Sequence, residues 1–378
     1  MTRNILITGG AGFIGSRLAL FLTAKSHNVR VLDNLAPQIH GPDPESSSLY
    51  RAIQGKVEFS RGSVTSRDDL MRVLPGMDTV VHLAAETGTG QSMYAIEHYT
   101  TVNVGGTALL LDLIANEPFP VRKLVVASSR AVYGEGKYCC TRHGAVFPES
   151  RLAEDMARGD FEVHCPICGD PAQFAPSDEA TPVRPSSVYG ITKLTQEQMV
   201  LTVGKALGIP AFAFRYQNVY GPGQSLSNPY TGILSIFSTR IRNKSHINIF
   251  EDGKESRDFV FIDDVVAATA RAIENPAPLA GAFNVGSGQA TDVLTIARTL
   301  QRLLGEAAPI EVTGQFRLGD IRHNVADLTR VRAALGFEPS VFIEEGLRRF
   351  VGWVKGEQIH VDRYEDSLGE LAAKGLLK

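Results

Sequence analysis

The feature that most constrains the fold is a glycine-rich turn directly after the first apolar segment. Residues 4–8 have the character of a buried strand, and residues 13–24 have helical periodicity. Gly10, Gly12 and Gly15 lie at the junction in the spacing Gly-x-Gly-x-x-Gly. Glycines at these positions permit a tight turn and a close approach of the backbone to a ligand, while the helix N-terminus presents free N–H groups. The pattern predicts a strand–turn–helix unit that binds a pyrophosphate.

Apolar segments and segments of helical period alternate through residues 1–215. Strands are predicted at residues 4–8, 29–32, 57–60, 79–83, 123–127 and 211–215, and helices at residues 13–24, 67–73, 94–115 and 187–206. This alternation predicts an α/β fold with a Rossmann-like, doubly wound parallel sheet. Further helices are predicted near residues 233–242, 263–274, 292–304, 328–335 and 343–354. They indicate a smaller C-terminal α/β substrate lobe, followed by a charged tail without clear periodicity.

Composition argues against several kinds of partner. The 378 residues are 43% hydrophobic and 21% charged, and the formal net charge is −3. This charge gives no electrostatic case for nucleic acid or an anionic membrane as a partner. No apolar run reaches the length of about 18 residues that a membrane span needs, and the N-terminus has no signal-peptide pattern. We therefore expect a cytoplasmic protein with neither a nucleic-acid nor a membrane partner.

An acidic residue after the second predicted strand indicates which dinucleotide is bound. Asp33 lies 18 positions beyond Gly15. A carboxylate there accepts hydrogen bonds from both ribose hydroxyls and would repel a 2′-phosphate. The expected cofactor is therefore NAD rather than NADP.

Three residues form a candidate catalytic group. Tyr189 and Lys193 are four apart on a predicted helix and so share a face. A nearby ammonium group would lower the pKa of the tyrosine, which is a poor base at its ordinary pKa near 10. Ser129, at the end of the fifth strand, can hydrogen-bond the same substrate oxygen. Together they can remove a proton from an alcohol while its carbon gives a hydride to nicotinamide.

These motifs resemble those of the extended short-chain dehydrogenase/reductase superfamily, in its NAD-dependent nucleotide-sugar epimerase/dehydratase branch. The resemblance covers the chain to about residue 350. It rests on Gly9–Gly15, Asp33-Asn34-Leu35, His82–Ala85, Asn103-Val104-x-Gly106-Thr107, Ser128–Gly134, Tyr189-x-x-x-Lys193, Arg215–Pro222, Arg257-Asp258-Phe259, Asp263-Asp264-Val265 and Asn284-Val285-Gly286.

The resemblance implies contacts for both ligands. For NAD it implies Gly9, Gly12, Phe13, Ile14, Gly15, Asp33, Asn34, Ser63, Val64, Leu83, Ala84, Ala85, Asn103, Tyr189, Lys193 and Tyr216. For a nucleotide-diphosphate sugar it implies Thr87, Ser129, Arg130, Asn218, Arg257, Arg317 and Asp320. Relatives often carry Asp where this chain has Ser63, so the contact to adenine differs or is remade by Ser63.

The residues after Ser129 narrow the expected reaction. Related sugar dehydratases carry an Asp-Glu pair there, and related decarboxylases carry a Glu. Arg130 and Ala131 cannot act as an acid or base at neutral pH. What remains is 4-epimerisation through a transient 4-keto sugar. A net 4-dehydrogenase or reductase, or a non-catalytic NAD-binding scaffold, are the alternatives.

Two loops indicate the sugar by resemblance alone. Residues 86–94 and 223–230, together with Gln217, are similar to those of bacterial dTDP-L-rhamnose 4-epimerases. UDP-glucose and UDP-glucuronate 4-epimerases remain open as alternatives.

An insertion between Ser129 and Tyr189 carries two pairs of candidate metal ligands. They are Cys140 with His143 and Cys165 with Cys168, and each pair is followed by glycine. Paired spacings of this kind in a reducing compartment favour a metal site over disulfides. Three thiolates and one imidazole predict a structural tetrahedral zinc in a zinc-knuckle insertion, while Cys139 is spare or replaces Cys140.

We expect the chain to be divided as follows. Residues 1–215 form the NAD-binding domain, with the zinc-binding insertion at 136–178; residues 216–356 form the nucleotide-sugar-binding lobe, and residues 357–378 form a tail. The resemblance also implies a homodimer, in which the helices at 94–115 and 187–206 pair across a two-fold axis.

Overall fold

The computed structural model describes residues 2–230 and 232–378. Its strands are β1 Asn4–Thr8, β2 Asn28–Asp33, β3 Glu58–Arg61, β4 Thr79–His82, β5 Lys123–Ser129, β6 Tyr138–Cys140, β7 Gly144–Val146, β8 Gln173–Phe174, β9 Ala211–Tyr216, β10 Asn218–Tyr220, β11 Ile247–Ile249, β12 Ser256–Phe261, β13 Gly281–Val285, β14 Ala290–Asp292, β15 Ile310–Val312 and β16 His323–Asn324.

Its helices are α1 Phe13–Ala24, α2 Pro37–His40, α3 Ser48–Ile53, α4 Arg67–Val73, α5 Thr89–Ser92, α6 Ile96–Tyr99, α7 Gly106–Asn116, α8 Ala153–Ala157, α9 Val188–Leu207, α10 Ile233–Arg242, α11 Ile262–Glu274, α12 Val293–Leu304, α13 Thr329–Leu335, α14 Ile343–Gly356 and α15 Tyr364–Ala373. A π-helical turn spans Thr100–Gly105, and short 3₁₀ turns span Pro44–Ser46 and Arg130–Tyr133.

A seven-stranded parallel sheet organises the fold, in the order β13-β9-β5-β4-β1-β2-β3. The predicted Rossmann-like doubly wound sheet is confirmed. Its inner strands are mostly apolar because helices cover both faces; every residue of β5 and β9 is buried. The order reverses between β1 and β4, and the carboxyl ends of these strands open the crevice where such sheets bind ligands.

The second half of the chain is not separate from this sheet. Strand β13 adds to the edge of β9 in parallel register, and α11 packs against α1. Smaller sheets lie beyond it: β10, β12, β14 and β16 form one, and β11 pairs with β15. Among the described residues, none of the helices is long and apolar enough to cross a membrane.

The helix predicted at 94–115 is present from Ile96, as an uninterrupted run of α6, a π-helical turn and α7. Asn103, within the turn, bonds inward to both backbone groups of Glu86. Gly106 packs so closely that a Cβ there would lie 2.7 Å from Val64. The bonds of Asn103 and the close packing of Gly106 favour a π-helical turn at this point within the helix.

The tail also differs from expectation, because α15 forms within it. Tyr364, Leu368 and Leu371 of α15 are buried. The insertion, in contrast, has little regular structure. It consists of the small antiparallel sheet β7-β6-β8 and α8.

Candidate active site

The glycine turn between β1 and α1 is shaped to receive an anion. Gly9 has φ of +70°, and its amide donates to the carbonyl of Leu32 at 2.8 Å. A Cβ at Gly15 would collide with the carbonyl oxygen of Gly9, whereas a Cβ at Gly12 would meet only that oxygen, at 3.3 Å. No side chain caps the N-terminus of α1. Its first amides are therefore free to donate to a pyrophosphate.

Asp33 is held at the end of β2 by backbone amides. One carboxylate oxygen accepts from Ala11 at 3.0 Å, and the other accepts from Leu35 at 2.8 Å. His40 lies 3.9 Å from the same carboxylate, and burial lowers the pKa of this histidine. The carboxylate is thus fixed beside the glycine turn, where a ribose would follow the pyrophosphate.

A close helix–strand approach brings the predicted catalytic residues together. Ser129 ends β5, and Tyr189 and Lys193 lie on one face of α9. Gly190 makes the approach possible, because a Cβ there would lie 2.7 Å from the carbonyl oxygen of Ala131. Ser187 caps α9 by accepting from the amide of Gly190 at 3.1 Å. Residues distant in sequence therefore meet at one edge of the sheet.

Arg130 supplies a positive charge that favours ionisation of Tyr189. Burial raises the pKa of Tyr189, while the Ser129 hydroxyl and the Arg130 guanidinium lower it. Lys193 donates to Gln196 Oε1 at 2.7 Å. Burial lowers the pKa of Lys193 to about 7, against the opposing effect of Glu197. Burial also lowers the pKa of Arg130 to about 10, so Arg130 is cationic at neutral pH.

We expect Arg130→Leu to raise the pKa of Tyr189, because the substitution removes a neighbouring positive charge that stabilises the phenolate. The rise of kcat/KM with pH should move to higher pH, so that activity falls more at pH 6 than at pH 9. A pH–rate profile measures this. Arg122→Leu, at an exposed position before β5, is the control. An unchanged pH profile in Arg130→Leu would contradict the assignment.

The predicted residues line one cavity of about 550 Å³. Its wall includes Gly9, Gly12, Phe13, Ile14, Gly15, Asp33, Asn34, Ser63, Val64, Leu83, Ala84, Ala85, Thr87, Ser129, Arg130, Tyr189, Lys193, Tyr216, Asn218, Arg257, Arg317 and Asp320. Glycine turn, catalytic group and predicted substrate residues therefore share one space.

Asn103 is the exception, since it lies behind this wall. It is fully buried, and its amide also donates to Thr192 at 3.0 Å. The prediction that Asn103 contacts the cofactor is therefore corrected, because its polar groups are used in bracing α9. His82 has a similar supporting position, with its ring between the hydroxyls of Thr8 and Thr107 at 2.7 and 2.9 Å. Burial lowers the pKa of His82 to about 3, which keeps it neutral.

Polar side chains define the far end of the cavity. Arg317 pairs with Asp320 at 2.7 Å and stacks over the ring of Phe250. The guanidinium of Arg257 donates to backbone carbonyls, including that of Ile321 at 2.8 Å. Asn218 Oδ1 is buried without a hydrogen-bond partner among the described residues. This end offers both cationic and neutral polar groups to a ligand.

The sequence reasoning missed the contribution of the C-terminus to the cavity. Tyr364 and Leu371 of α15 line it. Glu370 accepts hydrogen bonds from Tyr94 at 2.6 Å and from Tyr230 at 2.7 Å. The apolar spacing of Tyr364, Leu368 and Leu371 was the available signal, because it places them on one helical face.

The predicted metal ligands of the insertion form a compact cluster. The ligand atoms of Cys140, His143, Cys165 and Cys168 all lie within 4.8 Å of one another. Cys140 Sγ is 3.5 Å from His143 Nδ1 and 3.7 Å from Cys168 Sγ, and Cys165 Sγ is 3.6 Å from His143 Nδ1. The sulfur separation is too long for a disulfide. Cys139 is exposed and outside the cluster, so it does not replace Cys140.

Comparison with known proteins agrees with this site. The profile of the NAD dependent epimerase/dehydratase family matches residues 5–147 and 165–286. The gap between the two matched segments falls within the insertion.

Individual relatives match over nearly their whole length. A dTDP-L-rhamnose 4-epimerase from Burkholderia thailandensis is 39% identical over 359 residues, which cover 94% of this chain and 96% of the relative. The solved structure of a UDP-glucuronic acid 4-epimerase from Bacillus cereus with UDP-glucuronic acid and NAD has a TM-score of 0.75 and 26% identity, covering 93% and 99%. The solved structure of a Thermus thermophilus UDP-glucose 4-epimerase with NAD has a TM-score of 0.73 and 26% identity. The match covers 94% of this chain and 100% of that chain. The chain therefore belongs to the NAD-dependent epimerase/dehydratase family.

Proposed function

We propose that this protein is an NAD-dependent nucleotide-sugar 4-epimerase that interconverts dTDP-L-rhamnose and its C4 epimer, dTDP-6-deoxy-L-talose. The observation that carries the proposal is the composition of the site. Ser129, Tyr189 and Lys193 meet at one cavity, while Arg130 and Ala131 occupy the positions where an eliminating enzyme needs an acid and a base. Such a site can move one proton and one hydride, and 4-epimerisation needs only these.

NAD, held by the glycine turn and Asp33, would supply a hydride acceptor and donor for C4 of the sugar. Tyr189 takes the proton of the 4-hydroxyl and later gives it back. Ser129 hydrogen-bonds the same oxygen and the positive charge of Arg130 stabilises the phenolate. For the hydride to return to the same carbon, the 4-keto sugar would have to stay in the cavity and turn between the two transfers. These residues therefore act without net oxidation of the substrate.

We assign the ligand contacts by position in the cavity. The glycine turn, Asp33 and the residues that follow β3 and β4 would hold NAD. Thr87, Arg130, Asn218, Arg257, Arg317 and Asp320 would hold the nucleotide-diphosphate sugar. We propose that residues 1–215 mainly hold NAD and residues 216–356 mainly hold the sugar nucleotide, with Thr87 and Arg130 of the first part also on the substrate side and α15 lining the cavity.

The choice of sugar is tested with a substrate panel. Purified enzyme without added NAD is incubated with dTDP- and UDP-linked sugars, and the configuration at C4 is determined by NMR. We expect interconversion of dTDP-L-rhamnose with its C4 epimer. If the enzyme turns over only UDP-glucose or UDP-glucuronate, that sugar nucleotide would be its substrate instead of dTDP-L-rhamnose. Net accumulation of reduced cofactor would indicate a dehydrogenase, and no turnover would indicate an NAD-binding scaffold.

We also propose that the four-residue cluster of Cys140, His143, Cys165 and Cys168 binds a structural zinc ion. A tetrahedron with zinc–ligand bonds of about 2.0–2.3 Å has edges of roughly 3.3–3.8 Å, and three of the separations between ligand atoms, at 3.5 to 3.7 Å, fall in that range. Gly144 and Gly169, which follow the two pairs, have positive φ of +69° and +75°. Such knuckle turns let backbone amides approach the sulfur atoms. A zinc ion would hold together an insertion with little core of its own.

Protein purified without added metal is expected to contain about one zinc ion per chain, because a closed four-ligand site binds zinc tightly. Cys165→Ser should lose the metal and expose the insertion to proteolysis, since the cluster then lacks one thiolate. Elemental analysis and limited proteolysis measure these effects, with Cys139→Ser as the matched control. A metal-free wild type, or a Cys165→Ser variant that resists protease as wild type does, would refute the zinc assignment.

We propose a cytoplasmic homodimer that forms through α6, α7 and α9. Ile96 and Ile191 support this, because both are large apolar residues about half exposed, at 52% each. Light scattering of the wild type and of Ile191→Glu tests the arrangement. The wild type should be a dimer and the variant a monomer.

A further inference from the structure

A buried arginine of the insertion reaches the substrate end of the cavity. The side chain of Arg151 is 4% exposed, and its guanidinium makes five hydrogen bonds. It donates to Glu135 at 3.0 Å, to both carboxylate oxygens of Glu251 at 2.8 Å, and to the carbonyls of Phe161 and Asp320 at 3.0 Å each. All five of its N–H groups are thereby used.

These partners belong to three separate parts of the chain. Glu135 precedes β6, and Phe161 lies within the insertion. Glu251 follows β11, and both Glu251 and Asp320 line the cavity. Arg151 itself lies between β7 and α8, outside any helix or strand. Its position is therefore set by these hydrogen bonds rather than by regular structure.

A second arginine closes the arrangement into a ring. Arg322, which is fully buried, donates its backbone amide to Glu135 at 2.8 Å and its guanidinium to Glu251 at 3.0 Å. It also pairs with Glu162 of the insertion at 2.6 Å. Both carboxylates are thus shared between Arg151 and Arg322. If Arg151 were removed, Glu251 would keep Arg322 as its counter-charge, whereas Glu135 would keep the backbone amide of Arg322 but lose its ion pair.

The contact with Asp320 links this ring to the ligand site. Arg151 fixes the carbonyl of Asp320, in the turn that begins at Arg317, and Asp320 then pairs with Arg317 at 2.7 Å. That pair lines the cavity, whereas Arg151 does not. A shift of this turn would move Arg317 and Asp320 together. Arg151 can therefore affect ligand binding without touching the ligand.

The ring also contacts the part of the insertion that holds the cysteine cluster. Tyr138 is fully buried in β6 and its hydroxyl is 3.5 Å from Glu135. Cys140 ends the same strand. Tyr138, Cys140 and Cys165 share one small apolar cluster. The folded insertion and the ring are thus in direct contact.

We propose that Arg151 is a positioning residue through which the insertion holds the Arg317–Asp320 turn in place for the nucleoside diphosphate part of the substrate. This inference rests on the function proposed above. The planar guanidinium of arginine suits this role. It can bind one carboxylate through two parallel hydrogen bonds and still reach two carbonyls, which a lysine ammonium cannot do. The insertion accordingly forms part of the support of the substrate site.

The test compares Arg151→Met and Arg151→Lys with Arg158→Met. Arg158 belongs to the same insertion but is 69% exposed and pairs only with Asp155 of its own turn. Binding of dTDP and of UDP is measured by calorimetry, together with KM, kcat and NAD content. For Arg151→Met we expect a loss of about tenfold in nucleotide affinity and an equal rise in KM, as for one or two hydrogen bonds. The value of kcat and the NAD content should stay close to wild type.

Arg151→Lys should give an intermediate affinity, and Arg158→Met should match wild type. If Arg151→Met fails to fold, Arg151→Lys, which keeps the charge between the two glutamates, decides the question. Wild-type affinity in the folded variants would overturn the inference, as would a lower kcat with unchanged KM. A wild type that binds neither dTDP nor UDP would overturn the proposed function. The failure of the proposed function is thus distinguished from a failure of the Arg151 inference, which appears only in the variants.

Discussion

Tyr189→Phe should lose turnover by several orders of magnitude while it keeps the fold and the bound NAD. The substitution removes only the hydroxyl that takes and returns the proton. The other hydroxyl of the catalytic group, that of Ser129, lies on β5 and not on α9. A general base contributes about 10²–10⁴-fold to a rate, and here the same group also acts as the acid. The loss should appear in kcat rather than in KM, because the phenol acts in the transition state.

The measurement is the rate of C4 epimerisation together with the NAD content of the purified variant. Tyr50→Phe is the matched control, since Tyr50 packs on Phe59 and does not line the cavity. It should retain wild-type activity. Substantial turnover by Tyr189→Phe would mean that another residue moves the proton.

Glu197→Gln is expected to lower the free energy of unfolding by about 3–5 kcal/mol, the usual cost of breaking a buried ion pair by removing one charge. The side chains of Glu197 and Arg215 are 4% and 6% exposed. The two carboxylate oxygens accept from Arg215 at 2.6 and 3.1 Å, and one also accepts from Ser128 at 2.6 Å. The amide would leave the buried guanidinium without a counter-charge, and it would loosen the end of β5 next to Ser129.

Denaturant unfolding of wild type and variant gives this difference. Asp112→Asn provides the matched control, because Asp112 pairs with Arg67 where both side chains are about half exposed. Exposed pairs contribute about 0–1 kcal/mol. Equal effects of the two substitutions would show that the Glu197–Arg215 pair does not hold α9 and β9 together.

Much of the sheet could be predicted because its strands are short, apolar and bounded by glycine or polar turns. Strand β1 and helices α1 and α4 have the predicted bounds, and the other predicted strands of the sheet differ by one or two residues. The candidate site could be predicted from the glycine spacing and the Tyr189–Lys193 pair. Each is a short local pattern with a specific chemical requirement.

What could not be predicted depends on contacts between distant parts of the chain. The π-helical turn around Asn103 follows from its bonds to Glu86, which no local pattern contains. Arg151 and Arg322 have the sequence appearance of surface residues, and only the folded insertion buries them. The effect of Arg130 on Tyr189 likewise arises across the cavity rather than along a helix.

The central claim is that the hydrogen removed from C4 returns to the same carbon. The most direct measurement uses dTDP-L-rhamnose deuterated at C4, incubated with purified enzyme in ordinary water without added NAD. The account predicts that the C4 epimer forms and keeps its deuterium, as observed by NMR and mass spectrometry. Replacement of the deuterium by solvent hydrogen would contradict it.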